Sequence, residues 1–126
     1  MRNPRSGQGL IEFSLAASAM LLLFFLILDG GRLVYSYHTL GESAREGAHT
    51  AALSAATASD VKAAVNQHSG LLGDVGSTAV ITPAGTPRPA GSSVTVTVQY
   101  TWKPVTPFLA QVGPQTLTST TVVPVE

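Results

Sequence analysis

The sequence predicts an α+β fold in which a long N-terminal α-helix, transmembrane in its first part, packs on a small antiparallel β-sheet. Three observations carry this reading. Leu10 to Leu28 is an apolar run with a single charge, helical spacing continues beyond it, and Ser93 to Lys103 alternates with a period of two. The chain has 126 residues, so it holds one domain at most. Hydrophobic residues make up 44% and charged residues only 11%, while aromatics contribute 6%. The apolar content is therefore aliphatic, and much of it is concentrated in one stretch. A formal net charge of zero and scattered basic residues argue against electrostatic capture of nucleic acid. Without cysteine, disulfides and thiolate metal sites are excluded. A domain outside the membrane must then be held by packing, partners or the membrane itself.

The run LIEFSLAASAMLLLFFLIL, about 19 residues, spans about 28 Å as a helix, close to the thickness of a hydrocarbon core. Its second half, MLLLFFLIL, has no polar face, so lipid is its natural surrounding. Arg2, Arg5 and the α-amino group precede it and place the N-terminus in the cytoplasm and the remainder outside. A removable secretory signal would end in a small-residue cleavage site, whereas this run ends in Asp29-Gly30-Gly31-Arg32. Asp29 and Arg32 are spaced to pair on one helix face. Leu33, Tyr37, Leu40, Ala44 and Ala48 then continue the helical spacing. The reading is one helix from about residue 8 to about residue 56, with a break at Gly30-Gly31 into two helices as the alternative.

Thr57 and Asp60 fit a capping box that opens a short second helix, ended near His68 by Ser69-Gly70. Thr78 to Thr82 is a short β-branched strand, and the proline-rich stretch Pro83 to Pro89 is a loop. In Ser93 to Lys103, Val94, Val96, Val98, Tyr100 and Trp102 share the face that should cover the helix. Pro104, Pro107 and Pro114 bound a loop holding Phe108 and Leu109, and Thr116 to Val123 is a further strand. So small a sheet is marginal alone and relies on the helix or on neighbours.

Residues 5 to 13 read Arg-Ser-Gly-Gln-Gly-Leu-Ile-Glu-Phe. A glycine, four residues, a glutamate and an aromatic directly before an apolar helix resemble the type IV prepilin processing site, in particular its Flp branch. After the apolar run, Asp-Gly-Gly-Arg-Leu-Val-Tyr and then Ala44-Arg45-Glu46-Gly47-Ala48-His49 extend the resemblance to the TadE-like family of the tight-adherence pilus machinery. Gly31-Arg32 matches that family's Gly-Arg pair, and His49 stands where an arginine is usual. The resemblance covers about the first 55 residues and implies a pilin-like fold, cleavage by prepilin peptidase between Gly7 and Gln8, and a role in pilus biogenesis. Gly7 would let the helix stop at little cost and Pro4 would keep it from propagating back. The resemblance implies that Glu12, with Phe13 beside it, sets register by pairing with the new α-amine of Gln8 on a neighbouring subunit. A carboxylate that far into an apolar run costs up to about 2.5–3.5 kcal/mol if central, less near an end. The plainer alternative is that Glu12 snorkels to the interface.

The expected organisation is a leader over 1–7, a membrane part over 8–29, the remainder of the helix over 30–56, and a short helix with a β-rich head over 57–126. The implied partners are prepilin peptidase, other pilin-like subunits with their assembly machinery, and the membrane. No cofactor, catalytic residue or small-molecule substrate is expected. His38, Glu42, Glu46 and His49 share one helix face, but a di-iron bundle needs a second Glu-x-x-His copy and two more glutamates, so they read as a polar stripe. No nucleophile elbow, Walker loop or complete dinucleotide fingerprint occurs. Tyr100 and Trp102 lie on the apolar strand face, where core packing outweighs sugar binding. The small residues Gly41, Ala44, Gly47, Ala48, Ala51, Ala52 and Ala55 suit either helix–helix approach or packing beneath the chain's own sheet. Two functions compete: a pilin-like assembly subunit, or an uncleaved single-span anchor displaying a small adhesive or binding domain.

Overall fold

The structure, a computed structural model, describes residues 5–126. Arg2 and Pro4, to which the leader reading gave the cytoplasmic charge and the helix stop, lie outside the described residues. Helix α1 (Arg5–Ala52) is followed by α2 (Ala58–Gln67), β1 (Val80–Thr82), β2 (Ser93–Trp102) and β3 (Gln115–Pro124). The strands form one antiparallel sheet in the order β1-β2-β3. The fold is α+β, as the sequence predicts.

Helix α1 passes through Gly30-Gly31 without a break. Each glycine costs about 1 kcal/mol relative to alanine but introduces no clash, and the Asp29–Arg32 pair, 3.3 Å apart, spans the weak turn. The described helix already includes Arg5 to Gly7, so the chain is helical at the expected stop. A single glycine lowers helix propensity without terminating it. At the other end α1 stops at Ala52, four residues short of Ala56, because its last carbonyls take other partners. The Glu126 N–H donates to Ala52 O (3.0 Å), and the Arg88 Nη1 group donates to Ala51 O (3.0 Å) and Ala56 O (3.2 Å).

The α2 capping box forms as expected. The Thr57 N–H donates to Asp60 Oδ2 at 2.8 Å, and the Asp60 N–H donates to Thr57 Oγ1 at 3.3 Å. Strand β1 is shorter than predicted because Gly76–Thr78 closes a 3-10 turn first. Thr78 still joins the ladder through its side chain: Oγ1 donates to Gln99 O (2.7 Å) and accepts from Gln99 N (3.0 Å).

The core lies between the upper part of α1, α2 and the inner face of β2. Leu40, Ala44, Ala48 and Ala51 meet Val61, Val65, Val75, Val94, Val96 and Val98, all buried. Fully burying a valine of this kind contributes roughly 1.5–3 kcal/mol. Trp102 is 7% exposed and belongs to the packed face, while Tyr100 is half-buried. The helical stripe is partly misassigned by spacing alone. Leu33 and Tyr37 are exposed and border a shallow groove with Leu117 at the edge of β3, because the sheet covers α1 fully only from about Leu40 onward. The small residues serve the chain's own core: Ala44, Gly47, Ala48, Ala51 and Ala52 are buried. Gly41 is half-buried and Ala55 exposed.

Candidate functional site

The predicted processing and register residues occupy the first turns of α1. Gly7, Gln8, Glu12 and Phe13 are all exposed, Phe13 at 72%. Glu12 forms no ion pair with any described side chain. The following helix surface is apolar and uncovered: from Gly7 to Leu28 every side chain is exposed except Phe25, which is half-buried. Among the described residues, one helix is long and apolar enough to cross a membrane. Burying these leucines and phenylalanines in lipid removes an apolar surface far larger than a soluble monomer usually exposes.

The second set of motif residues is distant from the first. Gly7 and Ala44 are about 55 Å apart along the helix, so they form no common site. Gly31 is exposed with open space around it. Ala44 is buried, and Arg45 reaches Glu42 at 3.5 Å on the exposed side, a pair worth little in water. Glu46 is half-buried and His49 exposed. Gly47 has a specific packing role: a Cβ there would lie 2.5 Å from Val65 Cγ2 and 3.4 Å from Val96 Cγ1. The glycine lets α2 and β2 close on α1.

Arg32 belongs to a cluster that fastens the head to the helix. Asp29 is 1% exposed, although it directly follows the apolar run. Its carboxylate accepts the Thr106 N–H at 2.8 Å and the Val105 N–H at 3.0 and 3.1 Å. Arg32 Nη1 donates to Asp29 Oδ1 (3.3 Å) and to Lys103 O (3.5 Å). Spacing alone pairs Asp29 with Arg32, but it gives no hint of the loop 76 residues away. Arg88 was equally hidden. It is buried and closes the other end of the helix by the carbonyl contacts described above, also with the Arg88 N–H donating to Ser54 O (3.1 Å). A lone arginine in a proline-rich loop offers no sequence signal for such a role.

Among the described residues no group of three or more His, Cys, Asp or Glu side chains is placed to hold a metal ion. His38 and Glu42 instead line a polar groove of about 330 Å³ between α1 and β3, together with Tyr37, Gly41, Arg45, Ser119, Thr120 and Thr121.

No curated protein and no solved structure matches the chain. Helix α1 does match a known family: residues 7–49, from the glycine of the processing motif to His49, fit the family model described as TadE-like protein, the family of pilus-associated tight-adherence components that the motifs resemble.

Proposed function

We propose that this chain is a pilin-like structural and assembly subunit of a tight-adherence (Flp, type IV-like) pilus. In this reading prepilin peptidase removes residues 1–7, and the helix up to about Asp29 lies in the cytoplasmic membrane with its N-terminus inside. The head is then outside, and the protein acts through other pilin-like subunits and their assembly machinery. The observation that carries the reading is Gly7, followed by Glu12-Phe13, near the start of an unbroken helix whose apolar band, half-buried Phe25 aside, is left exposed among the described residues. Such a band suits lipid before assembly and neighbouring helices afterwards. Glu12 then pairs with the Gln8 amine of a neighbour, where sliding would strand a charge in apolar surroundings. Because Gly7 is helical, the peptidase must unwind the first turns. Gly7 and Gly9 each lower the cost of that by about 1 kcal/mol relative to alanine.

Intact-mass analysis of the membrane form beside a sheared-filament fraction tests processing. Loss of residues 1–7 is expected, and Gly7→Leu should block it. Glu12→Ala should leave cleavage intact yet remove the protein from the assembled complex, with Glu12→Gln nearly as poor and Glu12→Asp partly active. The helical state of Gly7 favours a second reading, an uncleaved anchor displaying the head. A chain that still begins at Met1 beside a working peptidase would replace the first reading with the second.

A further inference from the structure

We infer that the loop joining β2 to β3, residues 103–114, is a second membrane contact whose apolar tip enters the lipid interface on the head side of the bilayer. The inference rests on the proposed membrane-spanning reading of α1. Its first support is height along the helix. Arg32 touches the carbonyl of Lys103, and Asp29, one turn closer to the apolar run, holds the N–H groups of Val105 and Thr106. The chain is thus descending α1 toward the membrane as it enters the loop. Asp29 itself directly follows the apolar run, so the residues after Thr106 leave the clamp at the boundary of the hydrocarbon. Phe25, one turn below Asp29 on the same face, is the one side chain between Gly7 and Leu28 that is half-covered.

The second support is the chemistry of the loop. Val105, Phe108 and Val112 are 63%, 70% and 64% exposed. No ionisable residue occurs from Pro104 to Val125. Basic groups sit where the chain enters the loop: Lys103 is exposed, and the Arg32 side chain, 47% exposed, reaches the Lys103 carbonyl. An apolar tip beneath a basic collar is the pattern that partitions into a headgroup region, with the cations near phosphates. The opposite end of the head differs. Gly91, Ser92 and Ser93 lie beside the end of α1, about 35 Å from Asp29 along the helix.

The chain has no cysteine, so single cysteines can carry an environment-sensitive fluorophore without background. Phe108→Cys, Val112→Cys, Leu22→Cys and Ser92→Cys are compared in the full chain, one chain per phosphatidylethanolamine/phosphatidylglycerol nanodisc. The expected result is blue-shifted emission at 108 and 112, quenched more by lipids with a nitroxide near the headgroup than by lipids with one deep in the acyl chain. Position 22 should show the reverse quenching order, and position 92 should emit as in water. Emission as in water at 108 and 112 while 22 reads lipid overturns the loop contact and leaves the spanning helix standing. Emission as in water at 22 as well overturns the spanning reading itself. Shielding of 108 that appears only in a filament fraction assigns the loop to a neighbouring subunit and also overturns the inference.

Discussion

Replacing Asp29 with alanine should release the loop from the helix. The Thr106 residue is fully buried, so its N–H would lose its acceptor with no access to water, at about 1–3 kcal/mol. The N–H of the largely exposed Val105 can turn to solvent, and its loss is nearer 0.5–1.5 kcal/mol. The Arg32 pair is half-exposed and adds less than about 1 kcal/mol. Together these give about 2–4 kcal/mol of local stability. Since 1.4 kcal/mol is tenfold, the Thr106 amide should lose on the order of 30–700-fold in exchange protection. Hydrogen exchange of the full chain in nanodiscs, resolved by residue, reads this directly. Asp29→Asn keeps one acceptor oxygen and should fall between. The amides of Gly91 and Val125, bonded at the far end of the head, serve as the control and should not change. If Thr106 exchanges in Asp29→Ala as slowly as in the parent, the carboxylate does not hold the loop and the reasoning fails.

Two glycines of one helix should respond oppositely to alanine. Gly47→Ala forces a methyl against Val65 and should destabilise the head by about 1–3 kcal/mol, whereas Gly41→Ala meets nothing within 4 Å and should be neutral or up to about 1 kcal/mol stabilising, both read by thermal unfolding of the head signal. Arg88→Ala removes two charge-assisted bonds to buried carbonyls and should cost about 2–4 kcal/mol, with protease cleavage appearing first near residues 53–57. The Thr57 hydroxyl, then the Thr57 N–H, hold the Asp60 carboxyl below its ordinary 3.8. The contribution of that cap is therefore fully present above the ordinary value and is lost as pH falls through the lowered one. Far-UV spectra of Asp60→Asn should lack the acid-induced change in α2 that the parent shows.

The elements of this fold were legible because each rests on local chemistry. The valines of β2 alternate, Thr57 and Asp60 cap α2, and the apolar run announces the long helix. Local chemistry is not enough where a partner distant in sequence decides the outcome. The end of α1 at Ala52 depends on Arg88 and Glu126, and the start of β1 at Val80 depends on a turn that Thr78 bridges by its side chain. Leu33 and Tyr37 have the right spacing for the core but lie where the sheet does not reach. Motifs showed the same division. The resemblance picked out Gly47 and Arg32, yet only packing explains them: one admits two valines, the other braces Asp29. The clamp that sets the head on the helix was invisible, because it pairs a side chain with backbone amides, and any sequence can supply those.

The contact between the head and α1 is closed by polar fastenings at both ends of the shared core, by Asp29 next to the apolar run and by Arg88 and the Glu126 amide near Ala52. Tension applied along the helix axis therefore loads both fastenings and the core between them in shear. Rotation of the helix below Asp29 turns the head with it, since α1 runs without a break from Asp29 to Ala52. An unbroken helix packed along one side of the sheet makes a lever, so a twist imposed on its foot reaches the surface of the sheet.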